Sequence, residues 1–363
     1  MKKLIILFSC LLLTISLHSQ ITIVDSKSKL PIPFVQITIE NGQFAAISDL
    51  NGKISLDTLK HLNLNANCKL TLQHISYNNE VVTFESLKKM SAVLMNERIV
   101  NLDEVIVKPI KFDFIVLKGY FRSYELDDNE IKYYTDGIVE YYVPVKGGST
   151  KFNPLEYRTL RNKLLVDKQI YHTATVIIKV AGFPDIEAGK LVKEIKAKYK
   201  LRDTEYGKEI LLKDQKVGAV KKNKNDILQI DIDKIAPKKE EIHSLFGYTS
   251  RIENINISED YSSDSFDWID MSELVSRKEY RKFYFKHKSD KKETLYECVN
   301  EFYTIGVNYT TKSEIKKLKL STDRTLRESH QYLGNYWENL KKYGIPTISE
   351  QIVSEFGKSL IMY

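Results

Sequence analysis

Apolar and polar residues alternate at period two from Ile21 onward, and the pattern returns between turn signals as far as Thr311. Successive side chains of a strand point to opposite faces, so this period commits most of the chain to half-buried β-strands. Helical spacing is confined to a few stretches. The expected fold is mainly β, with an α+β second part.

Residues 21–108 read as an all-β module. Ile21, Ile23 and Asp25 point one way, Thr22 and Val24 the other. Phe34 to Ile39 is rich in β-branched residues and follows Pro31 and Pro33, which a strand entrance tolerates because its first N–H need not join the ladder. Ser48 to Lys53 is a turn in which Asn51-Gly52 suits positive φ, as hairpins require. Lys69 to Tyr77, Glu80 to Phe84 and Ser91 to Leu94 supply further strands. Six or seven short strands separated by turns suggest a β-sandwich.

Four ordered motifs in this stretch carry a family likeness. They are Asp25 to Val35, with Pro31-Ile32-Pro33 at its centre; Ser48-Asp49-Leu50-Asn51-Gly52-Lys53-Ile54; Ile75-Ser76-Tyr77; and Leu102-Asp103-Glu104-Val105-Ile106-Val107. Together they resemble the carboxypeptidase-like regulatory domain of Bacteroidetes envelope proteins. Asn78-Asn79-Glu80 departs from that family's pattern after its third motif. The resemblance covers about a quarter of the chain. It implies a transthyretin-like seven-stranded sandwich and no active site.

Ahead of the module, residues 1–20 read as a signal peptide. Lys2 and Lys3 form the charged region, Leu4 to Leu17 the apolar core, and Ser19 is a small residue suited to cleavage. That core is short of the ~20 residues that span a bilayer. The chain is thus expected to be exported, to the periplasm or to the outer membrane, with no transmembrane helix in its mature form. Cys68 and Cys298 then remain, one in each part. They read as two buried thiols, the alternative being one long-range disulfide.

Losing Lys2 and Lys3 lowers the formal charge from +7 to +5, which is mild, and the lysines are scattered among acids. The basic, aromatic run Arg281 to Lys288 fits a strand with one solvated face as well as it fits nucleic acid, and export disfavours the latter.

From Phe112 aromatic residues become dense. Leu117 to Tyr124 and Ile131 to Val143 flank the polar turn Asp127-Asp128-Asn129 and suggest an antiparallel meander, with a loop at Lys146 to Thr150. Asp185 to Tyr199 carries Leu191, Ile195 and Tyr199 at spacings of four and reads as an amphipathic helix. Glu209 to Leu212, Gln215 to Val220 and Ile227 to Ile232 read as strands, and Glu279 to His287 with Glu293 to Thr304 as a hairpin with a further edge at Val307 to Thr311. Leu326 to Tyr343, stopped by Gly344, and a last helix begun by a capping box at Thr347 to Glu350 make residues 109–363 an antiparallel-sheet α+β domain ending in helices.

The chemistry-bearing patterns of hydrolases do not occur. His61, His74, His172, His243, His287 and His330 are dispersed, and none is followed three places on by Glu. There is no G-x-S-x-G elbow and no phosphate loop. Asp260, Asp264, Asp267 and Asp270 supply oxygens for calcium, but the spacing matches no EF-hand, and Ser258 to Asp270 reads as a solvated loop in which Asp270 and Glu273 cap a short helix. The sequence therefore nominates no catalytic, cofactor-binding or metal-binding residue. It favours an exported, non-catalytic binding or assembly module of the cell envelope with an envelope protein or glycan partner and peripheral outer-membrane association. The alternatives are a hydrolase of glycans or peptides with its site in 109–363, and a small outer-membrane β-barrel; the 255 residues after Lys108 are too few for a ~22-stranded transporter barrel with its plug.

Overall fold

A computed structural model of the chain describes residues 20–100, 111–169, 182–187, 189–223, 225–324 and 336–362. The chain divides between Glu97 and Arg98 into two units. The leader before Gln20, the Leu102–Val107 motif and the boundary expected at Lys108 lie outside the described residues, as do Leu326 and Leu333. Gln20, read as the end of the leader, opens the first strand. The fold is mainly β, as the alternation predicts, and no described helix is long and apolar enough to cross a membrane.

Among its described residues the first unit holds seven strands: β1 (Gln20–Asp25), β2 (Gln36–Thr38), β3 (Phe44–Ile47), β4 (Lys53–Ser55), β5 (Lys69–Gln73), β6 (Glu80–Thr83) and β7 (Ala92–Met95). They form two sheets, β4-β1-β7 and β3-β2-β5-β6. Ile21, Ile23 and Val93 of one sheet share a buried core with Ile37, Leu70 and Leu72 of the other, which makes a sandwich. The motif residues build its turns. Asp25 accepts the backbone N–H groups of Lys27 and Ser28. Asp49 accepts those of Asn51 and Lys53. Gly52 has φ +69°, and a Cβ there would meet the Ile23 carbonyl oxygen at 2.6 Å. This turn carries the chain from β3 in one sheet to β4 in the other, so it is a crossing between sheets rather than the hairpin its sequence suggests.

The second unit is built on one antiparallel sheet of long strands. It contains β8 (Phe114–Asp127), β9 (Glu130–Pro144), β10 (Lys151–Arg161), β11 (Lys200–Thr204), β12 (Gly207–Leu212), β13 (Gln215–Lys222), β14 (Leu228–Asp233), β15 (Glu241–Leu245), β16 (Tyr248–Tyr261), β17 (Leu274–His287), β18 (Thr294–Thr310) and β19 (Ile361–Met362). The order is β11-β12-β13-β14-β16-β17-β18-β8-β9-β10-β19, with β15 also paired to β16. The meander β8-β9-β10 is present, and its first turn places Asp128 and Asn129 at positive φ.

Several sequence expectations are corrected here. The amphipathic helix runs from Lys190 to Lys198, not from Asp185: Gly189 precedes it in a left-handed conformation, and Asp185 is held by Arg324 at 2.5 Å. Val307 to Thr310 is not a separate edge but the end of the 17-residue β18. Ser258 to Tyr261 is not solvated loop but the buried end of β16, whereas Asp270 and Glu273 do form their capping box. Among the described residues, the C-terminal stretch holds two short helical segments and then a strand. Tyr336–Tyr343 is a 3-10 segment stopped by Gly344 at φ +63°, and Ser349, not Thr347, caps the four-residue helix Glu350–Val353. The final element is β19, paired to β10.

The two faces of this sheet are stabilised differently. The inner face is apolar: Leu191, Val192 and Ile195 of the helix join Leu117, Phe121, Val139 and Tyr141 from β8 and β9 and Ile210, Val217 and Ile230 from β12 to β14 in one core. The outer face carries a row of register partners across seven strands, namely Asp231, Ser258, Lys278, Glu301, Arg122, Asp136 and Arg158. All seven are buried. The signs alternate, with Ser258 as a neutral step that donates to Asp231 at 2.6 Å. Arg122 pairs with Glu301, and Arg158 with Asp136 at 2.6 Å. Directly opposed residues of a sheet lie ~5 Å apart, so opposite charges there satisfy one another without leaving the strand.

A second buried cluster sits at the β8–β9 register shift. Lys132 lies 3.1 Å from both Glu125 and Asp127. Burial, with Glu125 beside it, pushes the Asp127 carboxyl up to about 8, although Lys132 opposes this. The folded state therefore holds this proton more tightly than the unfolded chain, so the group's contribution to stability falls as pH rises from its ordinary 3.8 through about 8. Urea denaturation should show an Asp127-dependent loss of stability above pH ~8 relative to pH ~5, removed by Asp127→Asn. Lys132→Met removes the buried cation that Glu125 and Asp127 share and is expected to cost ~3–5 kcal/mol in the same measurement.

Candidate functional site

The strand β16 changes partner along its length. Asn256 to Tyr261 pairs with β14, and Tyr248 to Ile252 pairs with β15. Between them Glu253, Asn254 and Ile255 are paired to neither strand, and the register with β17 shifts between Ile252 and Asn254. That one-residue shift keeps Ile252 and Ile255 on the same inner face. The change of partner opens a notch there.

An apolar groove of about 400 Å³ occupies the notch, lined by Leu245, Phe246, Tyr248, Ile252, Ile255, Phe283 and Phe285, with His243, Ser250 and Arg281. Its floor is aromatic. Phe283 stacks on Tyr296 with ring centres 5.3 Å apart and planes 10° apart, and Tyr248 stacks on Phe285 at 5.3 Å. Cys298 completes this cluster beneath the floor. The β15–β16 hairpin contributes Leu245 and Phe246 to the lining, and these are 65% and 86% exposed.

Behind the groove lies a smaller polar pocket of about 200 Å³ that shares Ile255 and Arg281 with it. Arg277 bonds both Glu259 and Glu279, and Arg281 bonds Glu279. Burial works against the charge of Arg277, yet Glu259 and Glu279 outweigh it and hold the guanidinium above its ordinary value. Burial likewise favours the neutral form of Glu279, yet Arg281 and Arg277 hold its carboxyl below the usual range. Arg277, Arg281 and Glu279 stay ionised over the physiological range. They can orient a polar end of a ligand, but they do not exchange protons near neutrality.

A larger open cleft of about 920 Å³ lies between the Gly147–Thr150 loop and the Lys190–Lys198 helix. Its cations are largely compensated: Lys190 by Glu187 at 2.8 Å, Lys198 by Glu194 at 3.3 Å and Arg324 by Asp185 at 2.5 Å. Pairs of this kind at a surface contribute little and hold no net field for a ligand. The apolar groove is the better binding site, because it presents aromatic and aliphatic surface in a concave opening.

The four aspartates of the acidic stretch are not brought together. Asp260 accepts from Ser276 at 2.8 Å, Asp264 faces Lys222 at 3.1 Å, and Asp270 caps its helix. No group of three or more His, Cys, Asp or Glu is placed to hold a metal among the described residues. Sequence reading missed the groove. The available signal was Phe246-Gly247 between the alternating runs Glu241 to Leu245 and Tyr248 to Ile252. No protein-family model matches the chain, and no curated protein is similar to it.

Cys68 and Cys298 are free and buried. Burial pushes both thiols above their ordinary value. A chain beginning at Gln20 should leave Ellman's reagent unreacted when native and titrate two thiols in denaturant. One fast-reacting native thiol would show that the cluster under the groove opens to solvent.

Proposed function

We propose that this chain is an exported, non-catalytic binding or assembly module of the bacterial cell envelope, working in the periplasm or on the periplasmic face of the outer membrane. The leader and the ordered motifs of residues 25–77 support the compartment and the resemblance to a carboxypeptidase-like regulatory domain. The carrying observation is the groove in the second unit, an apolar, aromatic-floored notch left open beside an exposed hairpin. Such a surface recognises an apolar group of a partner by burial, with Arg281 at its inner end to receive a polar one.

A hydrolase of glycans or peptides needs an acid and a base facing one cleft with pKa values pushed apart. Glu259 and Glu279 are instead both bonded to Arg277, which favours binding over turnover. The end strands β11 and β19 do not pair with each other among the described residues, which favours an open module over a small barrel.

Fractionation of the native envelope followed by cross-linking tests this reading. The expected result is a processed chain, soluble or released from membranes by carbonate, with one reproducible envelope partner. Ile252→Asp, which places a charge in the groove, should abolish that cross-link while leaving the melting temperature within a few degrees. Turnover of a glycan or peptide by the purified chain, or an unchanged cross-link in the variant, would overturn it.

A further inference from the structure

The β15–β16 hairpin turns through two residues, Phe246 and Gly247, with φ of +50° and +83°. A tight turn with positive φ at both positions favours Asn, Asp or Gly at the first, because a Cβ is crowded there. Phenylalanine supplies no turn preference, and at 86% exposure it buries almost nothing within this chain. A bulky apolar residue kept at a strained, solvated position points to a use outside the fold. Leu245 beside it, 65% exposed, extends the apolar apex.

Cations surround that apex. Lys288 donates its backbone N–H to the Gly247 carbonyl at 2.8 Å, so the β17–β18 turn lies against the tip. Lys286 and Lys288, and Lys291 in the same turn, have no carboxylate within 4 Å among the described residues, whereas neighbouring Lys292, Arg251 and Lys238 are each paired. Of the carboxylates at this end, Glu240, Glu253 and Glu293 face Arg251, Glu253 also faces Lys282, and Asp128 faces Lys292. Asp290, in the turn itself, accepts the His287 backbone N–H at 2.8 Å. Lys286, Lys288 and Lys291 outnumber it, so the charge beside the tip is net positive.

We propose that the Leu245-Phe246 apex is a membrane-insertion wedge that docks the second unit on an anionic lipid surface. The phenyl and isobutyl groups enter the headgroup–acyl boundary, ~5–10 Å deep, and Lys286, Lys288 and Lys291 meet the phosphates. The strained turn holds the ring at the solvated tip, and the lipid supplies the burial that the fold does not. Leu245 and Phe246 also line the groove, so docking brings its mouth to the bilayer. This inference rests on the envelope reading above and names the surface at which the module works.

The chain from Gln20 is sedimented with phosphatidylcholine vesicles with and without phosphatidylglycerol. Expected is salt-sensitive binding to the phosphatidylglycerol vesicles, weakened roughly tenfold or more by Phe246→Asn. That variant suits the turn, so its melting temperature should hold or rise, and lost binding cannot be ascribed to misfolding. Lys286→Glu with Lys288→Glu should abolish the preference for anionic lipid. Parent-like binding by Phe246→Asn, or no vesicle binding by the parent, would overturn the proposal. If the parent ignores vesicles but loses its cross-linked envelope partner on Phe246→Asn, the apex docks a protein, and the lipid proposal alone fails. If the parent yields neither vesicle binding nor a partner, the module reading fails with it.

Discussion

Arg122 holds the second unit together at the middle of its sheet. Its guanidinium pairs with Glu301 on the neighbouring β18 and donates to the Pro346 carbonyl at 2.9 Å and to the Tyr303 hydroxyl at 3.4 Å. One side chain thus joins two central strands to the C-terminal segment that crosses them. Burying a guanidinium costs several kcal/mol unless its donors are satisfied, so the site is stabilising only when all three acceptors are in place. Burial favours the neutral form of Glu301, but Arg122 and Lys278 hold it below the usual carboxylate range. The row from Asp231 to Arg158 extends the same logic over seven strands. Removing one ion leaves its neighbours uncompensated, so the row fixes register across strands that are distant in sequence.

That dependence explains what could be read from the chain. Local devices were legible: the turn at Ser48 to Lys53, the polar turn at Asp127 to Asn129, Asp270 with Glu273, and Gly344 as a stop. Each needs only residues within a few places of one another. The charged row was not legible, because Arg122 finds Glu301 only after the sheet is ordered. Read alone, alternating charges on β17 look like a solvated face. The helix was extended too far because Asp185 and Glu187 imitate the acidic first turn of a helix. In the structure they serve Arg324 and Lys190 instead. The C-terminal stretch has helical spacing, but its apolar residues settle on the sheet. Phe356 packs on Tyr134 at 4.9 Å, and Leu360 is buried beside the β10–β19 pairing.

The outer and inner faces divide the work between them. The outer face is closed at its centre by ions and by the C-terminal segment, and Arg122, Lys278 and Arg158 each lie beside a carboxylate there. The inner face is closed by the helix near the middle of the sheet but not at the hairpin end. There the floor is still well packed, with Phe283, Phe285, Tyr296 and Cys298 buried. The surface above them is apolar and open.

The opening follows from strand lengths. β16, β17 and β18 run 14, 14 and 17 residues, while β14 has only 6. Once β14 ends at Asp233, β16 needs another partner to satisfy its backbone, and β15 supplies it by folding back as a five-residue hairpin arm. An arm that short covers the edge hydrogen bonds of Tyr248 to Ile252 but cannot also bury the side chains around them. It leaves Leu245 and Phe246 exposed at its end and the groove beside them unfilled. Along Tyr248 to Ile252 the backbone is paired where apolar burial is lacking, and this mismatch at one end of the sheet is what an external apolar surface can relieve.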